Sequence, residues 1–247
     1  MKFNKNFIGN NMPNKTVNFL DFTDSEERYL ESIKTQPNDW YYKDRSFTYS
    51  YNEYGHRSKN ISDIDLDNYI LFTGCSHTEG VGLELEKTYP YLVSQGLGCD
   101  YYNLGLGGTG IDVIEHNLVQ WFLSVKKKPK HLFIQWPDHS RFTSKNNNPA
   151  YSDLLEQGTW APVGSATSKF IINAETTGFN FARRDIYKRL VMEVSQCPIT
   201  TIGATSNIPY DTDSIYLFKK DLARDLSHYG NNSHQHLADD ILNSINV

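Results

Sequence analysis

The chain has 247 residues, a formal net charge of −5 and 38% hydrophobic residues, which suits one globular domain or one domain with a small appendage. Aromatic residues make up 13% of the chain, enough to build a hydrophobic core and therefore to exclude disorder throughout. A mildly acidic chain whose one cationic run is Lys126–Lys128 lacks the electrostatic footprint of a nucleic-acid-binding protein.

The apolar runs and the cysteines indicate in which cellular compartment the protein is expected. No apolar run approaches the ~18 residues of a membrane span, and the N-terminus lacks the apolar stretch of a signal peptide. The three cysteines, Cys75, Cys99 and Cys197, show no Cys-x-x-Cys spacing, which argues against a disulfide framework and a zinc ribbon. We therefore expect a soluble, cytoplasmic protein with no nucleic-acid or membrane partner.

Residues 1–65 differ in pattern from the remainder of the chain. Thr23-x-x-Glu26 is a capping-box pattern that predicts a short helix ending before Pro37. After it, Phe47, Tyr49 and Tyr51 alternate with small polar residues, a period of two that predicts a half-buried strand. We interpret residues 1–65 as an N-terminal extension that packs on the main domain.

Residues 66–247 alternate short apolar runs with amphipathic stretches. Four runs predict buried parallel strands: 69–72, 101–104, 131–134 and 199–202. Four stretches predict helices: one from Pro90 to Gly98, and three with apolar faces made by Ile111, Ile114, Leu118, Trp121 and Phe122, by Ile186, Leu190, Val191 and Val194, and by Leu237, Ile241, Leu242 and Ile245. This alternation predicts an α/β domain with a mostly parallel sheet, and residues 143–179 interrupt it as an insertion.

Candidate catalytic residues follow the predicted strands, where ligands bind in open parallel sheets. Ser76 follows the first strand between two glycines, a position that also suits a simple turn or helix cap. A serine nucleophile needs a base and a carboxylate that orients the base. Asp225 and His228, three residues apart, can supply both if their side chains fall on the same side of a turn, although such a pair also occurs in ordinary surface turns.

The glycine-rich loop after the second strand has two interpretations. Its spelling, Gly105-x-Gly107-x-x-Gly110, fits a dinucleotide-binding loop. Against this, the loop follows the second strand instead of the first, and Lys130-His131 stands where an acidic residue would bind the ribose. The favoured interpretation is a loop that points a backbone N–H at a developing oxyanion.

Other clusters are weaker candidates. His228, His234 and His236 with Asp225 or Asp239 could be drawn as a metal site, but His234 and His236 point in different directions on a helix, and we expect no metal. We expect exposed charges at three glutamates, Glu79, Glu84 and Glu86. Trp40, Tyr41 and Tyr42 with Trp136 and Trp160 could form a sugar-stacking platform, although aromatic residues in such a chain are mostly core.

Three motifs together resemble the SGNH (GDSL-like) hydrolase superfamily. They are Gly74-Cys75-Ser76 after the first strand, Asn103 with Gly108 five residues later, and Asp225-x-x-His228 near the C-terminus. Upstream, the segment from Asn52 to Arg57 resembles the Asn-x-x-Gly-x-Arg segment that precedes the nucleophile in SGNH-like proteins of bacteria and phages. The resemblance covers residues 52–245, and only the conjunction of these short motifs is specific.

The resemblance implies a flavodoxin-like three-layer α/β/α sandwich and ester hydrolysis without a cofactor. It implies that Ser76 is the nucleophile, His228 the base and Asp225 the residue that orients His228. The oxyanion would be held by the backbone N–H groups of Ser76 and Gly108.

Two positions depart from the family pattern. The usual Gly-Asp-Ser is Gly-Cys-Ser here, and we expect Cys75 to pack and not to react. In the third block, where the family has Gly-x-Asn-Asp, this chain has Gln135-Trp136-Pro137-Asp138, so Pro137 replaces the asparagine donor. Our hypothesis is that Gln135 or Arg141 fills that gap, and Trp136 is a further candidate for a substrate contact.

We therefore predict a serine esterase that acts on an acyl ester, acetyl favoured, with an acylated carbohydrate or other small molecule as its substrate. Two alternatives stay open. One is an acyltransferase of the same fold, since Ser, His and Asp play identical parts in it. The other is an inactive SGNH-like carbohydrate-binding or structural protein, with a phage as one candidate source. The sequence predicts no oligomeric state.

Overall fold

In the computed structural model, the parallel sheet predicted from the sequence is present. The structure describes residues 7–20, 24–137, 142–145, 155–158, 186–203 and 215–245. The five strands of the sheet are β3 (Tyr69–Thr73), β4 (Asp100–Asn103), β5 (Leu132–Trp136), β8 (Ile199–Gly203) and β9 (Ile215–Tyr216). Their order is β4-β3-β5-β8-β9 and all four pairings are parallel, which is the 2-1-3-4-5 order of flavodoxin-like folds when strands are counted from β3.

Helices cover both faces of this sheet. They are α2 (Ser76–Glu79), α3 (Tyr89–Leu97), α4 (Ile111–Ser124), α5 (186–195) and α6 (Asn231–Ile245). Side chains alternate across a strand, so Tyr69 and Leu71 of β3 join the cluster that α4 and α5 cover, whereas Ile70 and Phe72 join the cluster that α3 and α6 cover. The predicted three-layer α/β/α arrangement is confirmed.

Helix boundaries follow local signals closely. Pro90 lies in the first turn of α3, and Gly98 closes it at φ +60°, a left-handed conformation that glycine adopts without steric cost. The predicted face of α5 is wrong. Only Val191 of its four members is buried, while Ile186, Leu190 and Val194 are exposed, because the residues that pack against the sheet are Tyr187 and Val191.

The N-terminal segment forms α1 (Glu26–Thr35) and a two-stranded antiparallel pair, β1 (Thr16–Val17) with β2 (Tyr49–Ser50). The α1 helix ends before Pro37 as predicted, but its cap is Ser25, whose hydroxyl accepts the N–H of Arg28 at 3.3 Å. Thr23 lies outside the described residues. The alternation is confirmed, since Phe47, Tyr49 and Tyr51 are all buried while Ser46, Thr48 and Ser50 are exposed.

Of the predicted insertion over 143–179, the structure describes only residues 143–145 and 155–158. Strand β6 (Phe142–Lys145) pairs antiparallel with β7 (Leu155–Gly158); the remaining residues of that range lie outside the described ones, so the insertion stays a prediction. The boundary at residue 65 between extension and main domain also stays a prediction. Among the described helices, none has the length and apolarity needed to cross a membrane.

Ligands in this topology bind where strand order reverses, at the carboxyl ends of the first and third strands. In this chain that point lies beyond Thr73 of β3 and Trp136 of β5. Ser76 lies three residues after the end of β3. The glycine-rich loop follows β4, which pairs with β3 on the side opposite β5.

Candidate active site

Ser76 is the first residue of the short helix α2, in a sharp turn after β3. Gln135 of β5 stabilises this turn. Its side-chain oxygen accepts hydrogen bonds from the Cys75 N–H at 3.1 Å and from the Thr78 hydroxyl at 3.2 Å. Gly74 is required there, because a Cβ at that position would lie 2.1 Å from the Thr78 hydroxyl oxygen. Cys75 is buried and its thiol contacts Gln135 at 3.0 Å, so it packs as expected.

The glycine-rich loop lies beside this turn. Its Leu106 N–H donates to the Gly74 carbonyl at 3.1 Å, and the Asn103 side chain links β4 to α2 by donating to the Thr78 carbonyl at 2.7 Å. A Cβ placed on Gly107 would lie 3.7 Å from the Ser76 Cβ. Gly108 follows at φ +75°, a conformation that favours glycine. Both glycines are half-buried, and Gly107 lies against the Ser76 side chain.

Asp225 and His228 lie on a tight turn closed by a bridge between Leu222 and Tyr229. One Asp225 oxygen accepts the N–H groups of Ser227 and His228, both at 3.0 Å, and the other lies 2.5 Å from His228 Nδ1. Burial by itself raises the pKa of Asp225, but the His228 ring and the two N–H groups outweigh it and lower the pKa below its usual value. The carboxylate therefore stays ionised and fixes the ring, which leaves Nε2 for other partners.

The two loops meet beyond the sheet edge. The ring of His77, which is adjacent to Ser76, lies 5.3 Å from the His228 ring between centroids. Gly82, two residues beyond Gly80 at the end of the Ser76 turn, accepts the Arg224 N–H at 3.0 Å. A Cβ on Gly82 would lie 3.2 Å from an Asp225 oxygen. The structure thus brings the three predicted catalytic residues into one region of the molecule.

The segment from Asn52 to Arg57 supports the turn that carries Ser76. Asn52 closes a local turn by accepting the N–H groups of Tyr54 and His56 at 2.9 and 3.0 Å. Arg57 is buried and donates to the carbonyls of Gly80 at 2.6 Å and Leu83 at 2.8 Å. Sequence reasoning recognised this segment only by resemblance; the spacing itself carries no signal for its contacts with residues 80–83.

Glu79 corrects an expectation of the sequence analysis. It was expected as an exposed charge, but it is 2% exposed, since it ends the helical turn that begins at Ser76 and faces inward. Tyr51 donates to one of its oxygens at 2.7 Å and the Gly107 N–H to the other at 2.5 Å. Burial raises the pKa of Glu79, and these two hydrogen bonds oppose the shift. Glu84 is half-buried, and Glu86 is exposed as expected.

The candidate substrate contacts near β5 lie as follows. The Gln135 oxygen faces the turn that carries Ser76, and the Gln135 amide N–H donates to the Trp136 carbonyl at 2.9 Å. Trp136 is 4% exposed and packs in the core under α4 and α5, so its ring offers no open face for stacking on a sugar. Arg141 lies outside the described residues.

Two other clusters were named from the sequence, one of histidines with carboxylates and one of aromatic residues. Within the described part of the chain, no group of three His, Cys, Asp or Glu side chains has the geometry of a metal site. His234 is buried and accepts the Tyr89 N–H at Nδ1, whereas His236 is on the outer side of α6. Tyr42 is buried, Trp40 is half-buried and Tyr41 is exposed; Trp160 lies outside the described residues.

No family model and no curated protein matches the chain. Similar solved structures include the acetyl xylan esterase Est2A from Butyrivibrio proteoclasticus, with 14% identity, a TM-score of 0.47 and coverage of 72% of this chain and 63% of that one. A family two carbohydrate esterase from Clostridium thermocellum in complex with cellohexaose has 11% identity, a TM-score of 0.46 and coverage of 74% and 64%.

A member of the lipolytic protein G-D-S-L family from Veillonella parvula has 10% identity, a TM-score of 0.42 and coverage of 72% of this chain and 98% of that one. This chain therefore matches less than two thirds of the length of the two carbohydrate esterases. These likenesses concern the fold alone.

Proposed function

We propose that this protein is a serine esterase that removes an acyl group, acetyl favoured, from a carbohydrate-linked ester. The observation that carries the proposal is the Asp225–His228 pair, in which every oxygen of the carboxylate is engaged and one of them holds the imidazole Nδ1 at 2.5 Å. Such a pair orients a histidine as a base. It lies on a loop that packs against the turn carrying Ser76.

The reaction proceeds in two halves. His228 Nε2 takes the proton of the Ser76 hydroxyl as Oγ attacks the ester carbonyl, and Asp225 stabilises the imidazolium that forms. The tetrahedral intermediate collapses, the alcohol leaves with the proton returned by His228, and an acyl-serine remains. In the second half, His228 activates water, which attacks the acyl-serine, releases the carboxylic acid and restores Ser76.

The oxyanion is held by backbone N–H groups in this proposal. Ser76 is the first residue of a helix, so its N–H has no partner within that helix. Gly108 supplies the second N–H from the adjacent loop. Each such donor contributes roughly 3–4 kcal/mol in the transition state. With Pro137 where a third donor is expected, Arg141 stays the predicted substitute, since the Gln135 oxygen already holds the nucleophile turn.

A carbohydrate substrate is supported by a surface groove of about 520 Å³ on the N-terminal extension. Its lining combines aromatic, amide and charged side chains, a composition suited to sugar rings and hydroxyls: Asn38, Asp39, Trp40, Tyr41, Asp44 and Arg45. The segment is anchored beside the candidate site, because Tyr41 donates to Glu84 at 3.3 Å and Tyr42 to Asn231 at 3.1 Å.

The proposal is tested by hydrolysis of p-nitrophenyl acetate and butyrate by the wild type, Ser76→Ala and His228→Ala, with folding checked by circular dichroism. We expect a faster rate on acetate, lost in both folded variants. Equal background rates in all three proteins would contradict the proposal and favour a binding or structural role. Product analysis with a sugar acceptor present separates hydrolysis from acyl transfer.

The role of the groove in substrate binding is tested separately. We expect Trp40→Ala to raise KM for an acetylated xylo-oligosaccharide by about tenfold, since the loss of one aromatic contact costs about 1 kcal/mol or more, while p-nitrophenyl acetate turnover stays unchanged. Leu30→Ala, at an exposed apolar side chain of the extension that does not line the groove, is the control. An equal KM for the oligosaccharide in wild type and Trp40→Ala would exclude the groove as a substrate site.

A further inference from the structure

Glu79 occupies an unusual place for a carboxylate. It lies one helical turn after Ser76, is 2% exposed, and both of its oxygens accept hydrogen bonds. One bond comes from the hydroxyl of Tyr51, in the N-terminal extension, at 2.7 Å, and the other from the Gly107 N–H at 2.5 Å. The side chain therefore connects three segments: the nucleophile helix, the glycine-rich loop and the extension.

Ordinary charge pairing does not account for this burial. Removing a carboxylate from water is costly unless it is paired and hydrogen-bonded. Among the residues that the structure describes, no lysine or arginine lies within ion-pair distance of Glu79. The nearby Arg57 guanidinium donates instead to the carbonyls of Gly80 at 2.6 Å and Leu83 at 2.8 Å. The two donors, Tyr51 and Gly107, are the largest influences that favour the charged carboxylate, and the charges of Arg57 and His228 add to them without direct contact.

We infer that Glu79, anchored by Tyr51, is a positioning residue for the oxyanion hole; this inference rests on the proposed esterase function. By accepting the Gly107 N–H, the carboxylate fixes one peptide of the loop and leaves the next N–H, that of Gly108, to face the substrate. Two consecutive glycines are otherwise conformationally free, and ordering them in each catalytic cycle would cost free energy. Glu79 acts through Gly108 and does not touch the substrate.

The inference extends to the N-terminal segment. Tyr51 follows β2, and its ring is buried with a single polar atom aimed at Glu79. Its hydroxyl restrains the carboxylate in the orientation that reaches Gly107. The extension thereby contributes to the geometry of the site as well as to packing.

The experiment compares kcat and KM for p-nitrophenyl acetate among the wild type, Ser76→Ala and four further variants. Glu79→Met keeps the volume and removes both acceptors. Glu79→Gln keeps an acceptor for Gly107 and an amide N–H that can donate to the Tyr51 oxygen. Tyr51→Phe removes one hydroxyl. Tyr69→Phe is the control, since it removes a buried hydroxyl that donates to Lys127 at 2.7 Å, at the opposite end of β3.

We expect kcat to fall about 10²-fold in Glu79→Met, the size of the loss of one oxyanion donor, and about three- to tenfold in Tyr51→Phe, with KM within twofold in both. Glu79→Gln should recover kcat to within about threefold of the wild type, and Tyr69→Phe should not change it. A merely structural role would not restrict the loss to kcat or allow this rescue.

An unchanged kcat in folded Tyr51→Phe overturns the inference, whether or not Glu79→Met folds. A Glu79→Gln variant as slow as Glu79→Met also overturns it, because the charge and not the position of the acceptor would then matter. If Ser76→Ala turns over the ester as fast as the wild type, the proposed function fails and this inference fails with it. The Ser76→Ala arm therefore distinguishes the two failures.

Discussion

At the scale of single residues, Asp225 uses both of its carboxylate oxygens in the candidate site. Its side chain closes its own turn by accepting the N–H groups of Ser227 and His228, and it also holds the imidazole. Leu226 within the turn has φ +55°, which is uncommon for a leucine. The local hydrogen bonds therefore stabilise a turn that places carboxylate and imidazole side by side.

Asp225→Asn tests this arrangement. The amide oxygen can still accept both backbone N–H groups, but its NH₂ would face His228 Nδ1 and favour the tautomer with the proton on Nε2. Such a histidine cannot act as a base, so we expect kcat to fall about 10³–10⁴-fold with little change in KM. The measurement is steady-state hydrolysis of p-nitrophenyl acetate by the folded variant. A loss of less than tenfold would contradict the role of Asp225.

Among the structural elements, the N-terminal segment is tied to the loop that carries the Asp–His pair. Asp24 and Arg224 form an ion pair at 2.6 Å, and both side chains are 1% exposed. Tyr49 also donates to Asp24, and its hydroxyl accepts the Gly82 N–H at 2.8 Å. Arg224 immediately precedes Asp225, so the extension is anchored next to the candidate catalytic carboxylate.

Asp24→Ala breaks this buried pair. Arg224 would be left buried without its carboxylate, and we expect the free energy of unfolding to fall by about 3–5 kcal/mol. Urea unfolding measures the difference. Lys59→Ala, which removes a partly exposed pair with Asp100 at 2.9 Å, is the control and should cost about 0–1 kcal/mol. Similar costs for the two variants would show that the Asp24–Arg224 pair does not anchor the extension.

In the molecule as a whole, buried histidines link stability to pH. Burial lowers the pKa of His56 and His131 to about 4, and burial together with the charges of His228 and Arg57 lowers the pKa of His234 to about 3. Between pH 6.5 and these values the unfolded chain binds protons that the folded chain does not, so stability falls as the pH falls. Burial also raises the pKa of Glu79. This shift changes stability with pH in the opposite direction, but it comes from one group only.

We therefore expect the protein to be less stable at pH 5 than at pH 7, by roughly 1–2 kcal/mol for each fully buried histidine. His131 is partly exposed and should contribute less. His234→Asn, whose side-chain oxygen can accept the Tyr89 N–H in place of Nδ1, should reduce the pH dependence by one such contribution. Urea unfolding at both pH values measures it. An unchanged pH dependence in the folded variant would exclude His234 as a source.

Much of the fold follows from local patterns. The predicted strand 69–72 is β3 (Tyr69–Thr73), and the helix predicted from Pro90 to Gly98 is α3 with the same cap. These elements are predictable because an apolar run, a proline and a glycine act on backbone within a few residues. The buried face of α5 was not predictable from the sequence, because the choice between two adjacent apolar stripes of the helix depends on the sheet that it packs against. Strand β9 (Ile215–Tyr216) was missed because two residues carry no periodicity.

The candidate site likewise contains residues that could be predicted from the sequence and residues that could not. Ser76, Asp225 and His228 could be selected from the sequence, because turn geometry and short spacing are local and the chemistry needs those residue types. The Glu79 carboxylate could not, because one glutamate after a helix start is the same in sequence whether it is solvated or buried. Its burial depends on Tyr51 and Gly107, each 28 residues away along the chain. Only the folded chain brings these donors together, since hydrogen bonds and exclusion of water act between neighbours in space.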